Sequence, residues 1–413
     1  MNEIRALKNS MDAVCIYGVM KDPVMRALYK LLEASGGEEM IRRWAEFFHI
    51  LCGCGCTDSL KSYVSRLVLA DDNLFTKSAA AGIQLSGTVI DTVKNDLRMI
   101  QAVSETDCQK LLESAPDAEV KKILSQMGKW ACGESAAPLS GSWEENLDVL
   151  SAYHCANGYG EYTRYRAFIW RERRIFPVAS SNPITLADLK SYEKQRQKVV
   201  DNTESFVMGL PANNVLLYGD RGTGKSSTVH AVLNHFAAQG LRLIEVPKSA
   251  ICEFPLLLEQ LVDSPMKFLI FIDDLSFESD DASYAQLKAV LEGSVSARQN
   301  NTLIYATSNI RHLIKETFSS RQGDEIHRND TIQEAMSLSD RFGLSVTFSN
   351  PDKSRYFEIL DKIAADRGLC IDLEKLHSGA ERFALYRGGR SPRVARQYID
   401  SVESKIKRSM EWD

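Results

Sequence analysis

The feature that most constrains this chain is a segment at residues 219–226 that fits the pattern G-x-x-x-x-G-K-[ST]. A short apolar run at 215–218 precedes the segment, and a stretch with helical periodicity follows it. The segment therefore lies between a strand and a helix, as a phosphate-binding loop does. Its glycines let backbone N–H groups point at a phosphate, and the helix N-terminus adds partial positive charge. The motif predicts a site for a nucleoside triphosphate.

The individual residues of this loop have separate expected roles. We expect the nucleotide to contact the loop and the residue after it, namely Gly219, Asp220, Arg221, Gly222, Thr223, Gly224, Lys225, Ser226 and Ser227. The ammonium of Lys225 would reach the β- and γ-phosphates, and the hydroxyl of Ser226 would bind Mg²⁺. ATP and Mg²⁺ are the expected cofactors.

Short apolar runs alternate with helical segments through the middle of the chain. The runs have the composition of buried parallel strands and lie at 215–218, 241–246, 268–272, 303–306 and 344–348. The segment at 225–239 has apolar residues on one helical face, and Gly240 after it is a plausible C-cap. This alternation predicts an α/β domain with a doubly wound parallel sheet.

Two carboxylates directly follow one of these runs. Asp273 and Asp274 come after 268–272, at the carboxyl end of a strand, where ligands bind in open α/β sheets. We expect Asp273 to hold Mg²⁺ through its water shell. We expect Asp274 to accept the proton of the attacking water as a general base. The alternative is a strand-end pair that only caps the next turn.

Polar residues further along would complete a hydrolytic site. Asn309 follows the run at 303–306 and would orient the attacking water, unless it only forms a turn. Arg341 precedes the last run, and its guanidinium would stabilise transition-state charge on the γ-phosphate of a neighbouring subunit. The alternative for Arg341 is an ion pair with Asp340.

A second arginine belongs to the C-terminal part of the chain. Arg393 lies at the start of a predicted helix. There it would sense the bound nucleotide and couple nucleotide binding to the position of that helix. Arg390 and Arg396 compete with it for this role.

Three domains are expected along the chain. Residues 1–180 form an all-helical N-terminal domain, because apolar residues recur there at three- and four-residue steps, as at 39–51 and Leu60–Leu69. A polar, turn-prone linker at 179–183 leads to the α/β core at 181–350. A purely helical pattern then predicts a C-terminal lid at 351–413.

Composition excludes several classes of protein. The chain of 413 residues is 44% hydrophobic and 25% charged, as globular proteins are. No apolar run reaches the about 20 residues of a membrane-spanning helix, and the first residues lack a signal-peptide core. We therefore expect a cytoplasmic protein without a membrane partner. A net charge of −5 and a pI near 5.9 argue against nucleic acid as a partner.

Two local clusters leave alternatives open. The first cluster is a soft-metal or redox site, or a set of small residues at a helix end, and consists of Cys52, Cys54 and Cys56. The spacing of these cysteines matches none of the usual zinc patterns. The second cluster would contact a phosphate backbone or form a solvated or domain-contact face. It consists of Arg164, Arg166, Arg171, Arg173 and Arg174.

The order of these motifs resembles the AAA+ superfamily of ATPases. In that resemblance the loop is Walker A, Asp273 belongs to Walker B, Asn309 is sensor 1, Arg341 is the arginine finger and Arg393 is sensor 2. More closely, four segments resemble an uncharacterised bacterial AAA+ family of ATP-binding proteins with a domain of unknown function. The segments are 213–227, 272–277, 306–309 with His312 and Leu313, and 338–343. The resemblance covers roughly residues 155–400 and is only general before residue 150.

The resemblance implies an AAA+ P-loop core with a helical lid. The segment at 188–193 is similar to the one that lies against adenine in that superfamily, which implies that Leu189 and Tyr192 help to form the base pocket. It also implies a homo-oligomer, such as a hexameric ring, since an arginine finger needs a second subunit or a moved domain to complete the site.

One departure from the AAA+ pattern concerns Asp274, where many members carry Glu. A side chain one methylene shorter positions water less favourably, so hydrolysis is expected to be slow; Glu278 is the nearest substitute. The Asp-Asp pair is similar to that of bacterial replication initiators and helicase loaders, which use ATP more as an assembly switch.

These patterns support one main hypothesis and two alternatives. The main one is a Mg²⁺-dependent ATPase that acts as an oligomeric switch or remodeller on an unknown protein client held by the N-terminal domain. The alternatives are a nucleic-acid-associated loader, which the acidic charge disfavours, and an ATP-binding interaction module that does not hydrolyse ATP. The polar stretch at 319–330 is either a partner loop or a disordered excursion.

Overall fold

A computed structural model describes residues 2–179, 182–277, 282–292, 300–309 and 338–408 of the chain. The chain divides into two compact units, Met1–Tyr165 and Arg166–Asp413. No helix in the described residues is both long enough and apolar enough to cross a membrane.

The first unit is built from helices. They are α1 (Asn2–Asp12), α2 (Pro23–Glu33), α3 (Gly37–Gly53), α4 (Leu60–Leu69), α5 (Leu74–Ala81), α6 (Gly87–Ser104), α7 (Cys108–Glu113), α8 (Ala118–Gln126) and α9 (Leu147–Asn157). The two helices predicted at 39–51 and Leu60–Leu69 are present as α3 and α4. Their aromatic residues are core residues, since the rings of Trp44 and Phe47 pack on Trp130 at centroid distances of 4.7 and 4.8 Å.

A buried carboxylate holds the segment between α1 and α2 to helix α6. Asp96 is 1% exposed and accepts hydrogen bonds from the backbone N–H groups of Cys15, Ile16 and Tyr17, at 2.7 to 3.1 Å for the nearest oxygen. A carboxylate away from water is tolerated where such donors satisfy its oxygens. Asp96 therefore fixes the path of the chain in this unit.

The cysteine cluster lies at the end of α3. Cys52 and Cys54 are exposed, whereas Cys56 is buried, with its thiol 3.1 Å from the carbonyl oxygen of Cys54 and 3.2 Å from Nη2 of Arg66. Among the described residues, no group of three or more His, Cys, Asp or Glu side chains is arranged to hold a metal ion. The position of the cluster agrees with the interpretation that these cysteines are small residues at a helix end.

The second unit is organised around a sheet of seven described strands. They are β1 (Ala167–Arg171), β2 (Arg174–Pro177), β3 (Val215–Gly219), β4 (Leu241–Glu245), β5 (Lys267–Ile272), β6 (Thr302–Ser308) and β7 (Leu344–Phe348). Their order is β2-β1-β4-β5-β6-β3-β7, and every neighbouring pair is parallel except β1 and β2. All five predicted strands are present, with ends that differ by at most two residues.

Helices connect these strands and follow them. They are α10 (Glu193–Val207), α11 (Lys225–Phe236), α12 (Phe254–Leu261), α13 (Ala282–Leu291), α14 (Lys353–Asp366), α15 (Leu373–Tyr386) and α16 (Pro392–Lys407). A single 3₁₀ turn follows α11, and Gly240 after it has the left-handed φ of 87° that a C-cap requires. The α/β class with a doubly wound, mainly parallel sheet is confirmed.

The expected end of the helical domain at residue 180 does not match the structure. Strands β1 and β2 lie before that point and belong to the sheet of the second unit, so the division falls between Tyr165 and Arg166. The sequence did not indicate these strands because arginines interrupt the alternation of polar and apolar residues that is typical of a strand. Arg171 and Arg173 are exposed at the hairpin turn between β1 and β2, while Phe168 and Trp170 are buried.

The last three helices have a hydrophobic core of their own. Tyr356, Ile359 and Leu360 of α14 pack with Leu376 of α15 and Ile399 of α16. The sequence starts each helix with a capping side chain: Asp352, Asp372 and Ser391 accept hydrogen bonds from backbone N–H groups of the first turn. A lid that is separate from the core at residue 350 stays a prediction, because both lie within one compact unit.

Candidate nucleotide-binding site

The loop after β3 has a backbone that only glycine adopts without strain at three positions. Gly219, Gly222 and Gly224 have φ values of 130°, 75° and 94°. A Cβ at Gly219 would lie 2.2 Å from the carbonyl oxygen of Phe348, which also accepts a hydrogen bond from the N–H of Asp220 at 2.9 Å. The glycines therefore allow the loop to pack against the end of β7 while it turns into α11.

The motif of a phosphate-binding loop places a lysine at the start of the helix. In this chain that residue is Lys225, which is buried, with 6% exposure. Its ammonium donates to the carbonyl oxygens of Gly219 and Asp220 at 2.8 and 2.7 Å, and to Oδ1 of Asn309 at 3.1 Å. Burial lowers the pKa of Lys225. Asp220, Asp274 and Asp273 lie near enough to favour its charged form, but within the described residues no carboxylate accepts a hydrogen bond from it, so a phosphate could be its direct anionic partner.

Two oxygen donors for a metal ion lie side by side at the end of β5. The hydroxyl of Ser226 donates to Oδ1 of Asp273 at 2.6 Å, and the hydroxyl of Thr307 donates to the same oxygen. Carboxylate and hydroxyl oxygens are the ligands that Mg²⁺ prefers. The residue types and their proximity therefore fit the predicted magnesium site.

The second carboxylate is held by the neighbouring strand β6. Asp274 has a φ of 52°, unusual for a residue with a side chain. Its N–H donates to the hydroxyl of Thr307 at 2.9 Å, and its Oδ1 accepts from the side-chain amide of Asn309. Asn309 thus connects Asp274 with Lys225, and Thr307 connects Asp274 with Asp273.

Thr307 had not been singled out in the sequence. It is 2% exposed and bonded to both members of the acidic pair. A threonine near the end of a strand is ordinary strand composition, so its role becomes visible only when β6 is placed beside β5.

Helix α16 begins against the phosphate-binding loop. The N–H of Arg393 donates to the carbonyl oxygen of Gly222 at 3.1 Å. A Cβ at Gly222 would lie 2.9 Å from Oγ of Ser391 and 3.1 Å from Cβ of Arg393. Of the three competing arginines, Arg390 is occupied by an ion pair with Glu381, whereas Arg393 and Arg396 line the cavity described below.

The opposite side of the site is largely apolar. Leu189 and Tyr192 lie there with Ile184, Phe348 and Ile363. The ring of Tyr192 is 5.2 Å from that of Phe348, and its hydroxyl donates to the carbonyl oxygen of Ser349 at 2.7 Å. Burial raises the pKa of Tyr192 to about 12. This tyrosine is therefore a fixed, neutral wall of the site.

One cavity of about 810 Å³ collects most of the predicted site residues. Those that line it are Leu189, Tyr192, Arg221, Gly222, Thr223, Gly224, Lys225, Ser226, Ser227, Asp273, Asp274, Asn309 and Arg393. Gly219 and Asp220 lie behind this lining and accept the hydrogen bonds of Lys225. The cavity is large enough for a nucleotide.

Apart from Gly219 and Asp220, Arg341 is the predicted site residue that does not line this cavity. It is half-buried and forms an ion pair with Glu292, which follows α13. Three further sequence features lie outside the described residues: Glu278, the His312-Leu313 pair and the polar stretch at 319–330.

Comparison with known proteins identifies the family. A model of the family described as "Protein of unknown function (DUF815)" matches residues 163–406, which is more than half of the chain. The chain belongs to this family. No curated protein matches the sequence. The DUF815 match contains the whole cavity and both strands of the β1–β2 hairpin.

Solved structures with a related fold include RuvB of Thermotoga maritima, described as a Holliday junction branch migration motor. It is 16% identical with a TM-score of 0.36, and the match covers 55% of this chain and 66% of that chain. A mutant form of RuvB gives 15% identity, a TM-score of 0.39 and the same coverage. The chain thus spans just under two thirds of those chains.

The AAA+ assignment rests on the topology of the sheet. Strand β3, which leads into the phosphate-binding loop, lies between β6 and β7, and β6 separates it from β5, which carries the acidic pair. The phosphate-binding loop and the acidic pair thus belong to one mainly parallel sheet, which is the doubly wound P-loop core that the resemblance implies, and the DUF815 match confirms the family of unknown function.

Proposed function

We propose that this protein is a Mg²⁺-dependent AAA+ type ATPase that acts as an oligomeric switch or remodeller on a protein client. One observation carries the proposal: a single cavity joins the phosphate-binding loop and acidic pair with the start of α16. Because the N–H of Arg393 bonds to the carbonyl oxygen of Gly222, a change at the phosphates is transmitted directly to the lid helices. Bound nucleotide would in this way set the position of the lid.

On the phosphate side, each residue has a role that its contacts support. Lys225 is desolvated and lacks a carboxylate partner, so it binds the β- and γ-phosphates in exchange for its bonds to the loop carbonyls. Ser226 and Asp273 would hold Mg²⁺, which would supply positive charge next to the phosphates. The N-terminus of α11 adds its dipole to the same phosphates.

Hydrolysis would depend on Asp274 and Asn309. Asp274 accepts the proton of the attacking water, and Asn309 orients that water by hydrogen bonding. The side-chain amide of Asn309 donates to Asp274, and its side-chain oxygen accepts from Lys225. The short aspartate favours slow turnover, which suits a switch more than a fast motor.

The position of Arg341 supports action between subunits. Every other predicted polar residue of the site lines the cavity or bonds to its lining, whereas Arg341 is held by Glu292 outside it. If Arg341 is the arginine that stabilises the γ-phosphate, it must therefore come from a second copy of the chain or from a moved domain. We therefore expect ATP to promote assembly into a closed oligomer.

Isothermal titration and phosphate release test the activity together. Wild-type protein should bind ATP in the presence of Mg²⁺ and release phosphate, and Lys225→Ala should lose at least tenfold in affinity. Lys198→Ala is the matched control, because this exposed lysine on α10 does not line the cavity. Equal loss in both variants, or no binding by the wild type, would refute the assignment.

The same assay separates the interaction-module alternative from the ATPase. Binding of ATP without measurable phosphate release, at concentrations where the protein is oligomeric, would favour a module that does not hydrolyse ATP. To find the client, Asp274→Asn protein should be purified with ATP from a lysate, with Lys225→Ala as the nucleotide-free control. Proteins retained only by Asp274→Asn are candidates for the client.

A further inference from the structure

Three cysteines at the end of α3 carry chemistry that the nucleotide site does not use. Cys52, Cys54 and Cys56 are separated from one another by single glycines, and all three are free thiols. Cys52 and Cys54 are exposed, whereas Cys56 is 8% exposed. Other small residues would serve equally well at a helix end, but only cysteines can form a reversible covalent bond with each other. The cluster is therefore a candidate site for thiol–disulfide exchange.

The turn after α3 brings Cys54 and Cys56 together. Gly55 between them has a φ of 64°, in the left-handed region, and its N–H donates to the carbonyl oxygen of Cys52 at 2.9 Å. Cys56 folds back in this turn, so that its thiol donates to the carbonyl oxygen of Cys54 at 3.1 Å. Residues two apart in a chain have Cα atoms at most about 7 Å apart, and a disulfide requires about 4.4–6.8 Å. The two cysteines are therefore within reach of a disulfide.

The exposed thiol of Cys54 is accessible to a small disulfide in solution. It interacts with the hydroxyl of Tyr63, which in turn donates to Oδ2 of Asp22 at 2.8 Å. Rotation about the Cα–Cβ bond moves a thiol from one staggered position to another and leaves the backbone in place. Cys54 can therefore leave this contact and turn toward Cys56.

A guanidinium lies beside the buried thiol of the pair. Nη2 of Arg66 donates to Sγ of Cys56 at 3.2 Å. Nη1 of the same arginine donates to a neutral group, the hydroxyl of Ser62, at 3.3 Å. The thiolate is the form of cysteine that attacks a disulfide, and a neighbouring cation stabilises it. Arg66 is therefore placed to favour the reactive form of Cys56.

We propose that Cys54 and Cys56 form a disulfide by exchange with a low-molecular-weight disulfide such as glutathione disulfide. First, the thiolate of Cys54 attacks one sulfur of glutathione disulfide, which breaks the S–S bond and releases one glutathione. Next, the thiolate of Cys56 attacks Sγ of Cys54, which breaks the mixed disulfide and releases the second glutathione. The two protein thiols lose two electrons and two protons, and glutathione disulfide gains them.

This site goes beyond the proposed function and does not depend on nucleotide binding. Exposed disulfides are readily reduced, so an excess of reduced glutathione restores both thiols. The cluster would thus make the helical unit responsive to the ratio of oxidised to reduced glutathione.

The test uses the full chain, incubated with glutathione at several ratios of the oxidised to the reduced form. Free thiols are then alkylated, and the peptides are analysed by mass spectrometry. The wild type should yield a peptide in which Cys54 and Cys56 are joined, with the loss of two hydrogens. Cys56→Ser should instead retain one glutathione on Cys54, because the second step is lost.

Cys155→Ser is the matched control, since Cys155 is an exposed cysteine on α9 of the same unit. It should form the disulfide to the same extent as the wild type. A wild type without this disulfide at every ratio would overturn the proposal. Equal disulfide formation in Cys56→Ser would overturn the choice of Cys56, because Cys52 would then be the partner of Cys54.

Arg66 is tested as a positioning residue through the mixed disulfide. Arg66→Gln should slow the second step several-fold, so that the glutathione adduct of Cys54 accumulates before the disulfide forms. Arg66→Lys keeps a positive charge and should accumulate less of the adduct. A time course of the same mass analysis measures both variants. Adduct levels in Arg66→Gln that match those of the wild type would remove Arg66 from the exchange.

Discussion

At the scale of single residues, the polar side chains on the phosphate side of the site form a connected network. Thr307 bonds to Asp273 and to the N–H of Asp274, and Asn309 bonds to Asp274 and Lys225. These bonds hold Asp274 in place. The distance from its carboxylate to an attacking water is then set by the length of the side chain.

Changing the length and charge of this side chain should change turnover and leave binding intact. We expect Asp274→Asn to reduce phosphate release by about 10² or more, because the proton acceptor is lost while Lys225 still binds the phosphates. Asp274→Glu should hydrolyse ATP at least as fast as the wild type, since the longer side chain extends the carboxylate. Single-turnover phosphate release with titrated ATP affinity measures both. Undiminished turnover in Asp274→Asn would remove Asp274 from the mechanism.

The residues that could be predicted from the sequence are those whose chemistry is tied to a fixed spacing. Lys225 and Ser226 follow from the motif, and Asp273 follows from its position at the end of an apolar run. Thr307 could not be found in this way, because its significance depends on its bonds to Asp273 and Asp274. These bonds become visible only when β6 lies beside β5.

A second residue-scale prediction concerns the buried carboxylate of the helical unit. Asp96→Asn replaces an acceptor oxygen by an amine that faces backbone N–H groups, so we expect the free energy of unfolding to fall by about 2–4 kcal/mol. The control is Asp91→Asn, an exposed position on the same helix α6. Urea denaturation measures both. Equal stability of the two variants would mean that Asp96 does not hold the segment between α1 and α2.

At the scale of elements, the buried parallel strands were predictable and the edge hairpin was not. Strands β3 and β5 are nearly continuous apolar runs because they lie inside the sheet and bury residues on both faces. Strands β1 and β2 mix arginines with apolar residues, since the hairpin forms one edge of the sheet and its turn is exposed. Its turn also uses two residues with positive φ, Glu172 and Arg173, neither of them a typical turn residue.

The contact between α16 and the phosphate-binding loop provides an element-scale prediction. Gly222→Ala would bring a Cβ to 2.9 Å from Oγ of Ser391 and 3.1 Å from Cβ of Arg393, so Ser391 or the start of α16 must shift away from the loop. Gly209→Ala is a matched control, because Gly209 has the same φ of 75° but open space around it. Both variants strain the backbone by about 1–2 kcal/mol, and only Gly222→Ala also disturbs the site.

We therefore expect both variants to lose stability in urea denaturation, but only Gly222→Ala to lose ATP affinity, by about tenfold or more in isothermal titration. Unchanged affinity in Gly222→Ala would show that the lid does not contribute to nucleotide binding through this contact.

At the scale of the whole molecule, the nucleotide cavity lies entirely within the second unit, and the helical unit contributes no described residue to it. The α/β unit can be assigned from the sequence because the chemistry of phosphates dictates its motifs. The helical unit consists mainly of amphipathic segments that pack with each other, and such a pattern specifies a core and no ligand. The client must therefore be found by experiment.

The last prediction concerns assembly, because Arg341 lies outside the cavity of its own chain. Arg341→Ala and Asp274→Asn should each bind ATP and release almost no phosphate. When the two are mixed, some sites combine an intact Asp274 in one subunit with an intact Arg341 from its neighbour. In a closed ring formed at a 1:1 ratio this holds for about a quarter of the sites, so phosphate release should rise toward roughly that fraction of the wild-type rate. Analytical ultracentrifugation with ATP would verify that the variants assemble. Activity that remains at the sum of the two variants, in a mixture shown to be oligomeric, would place Arg341 outside the neighbour's site.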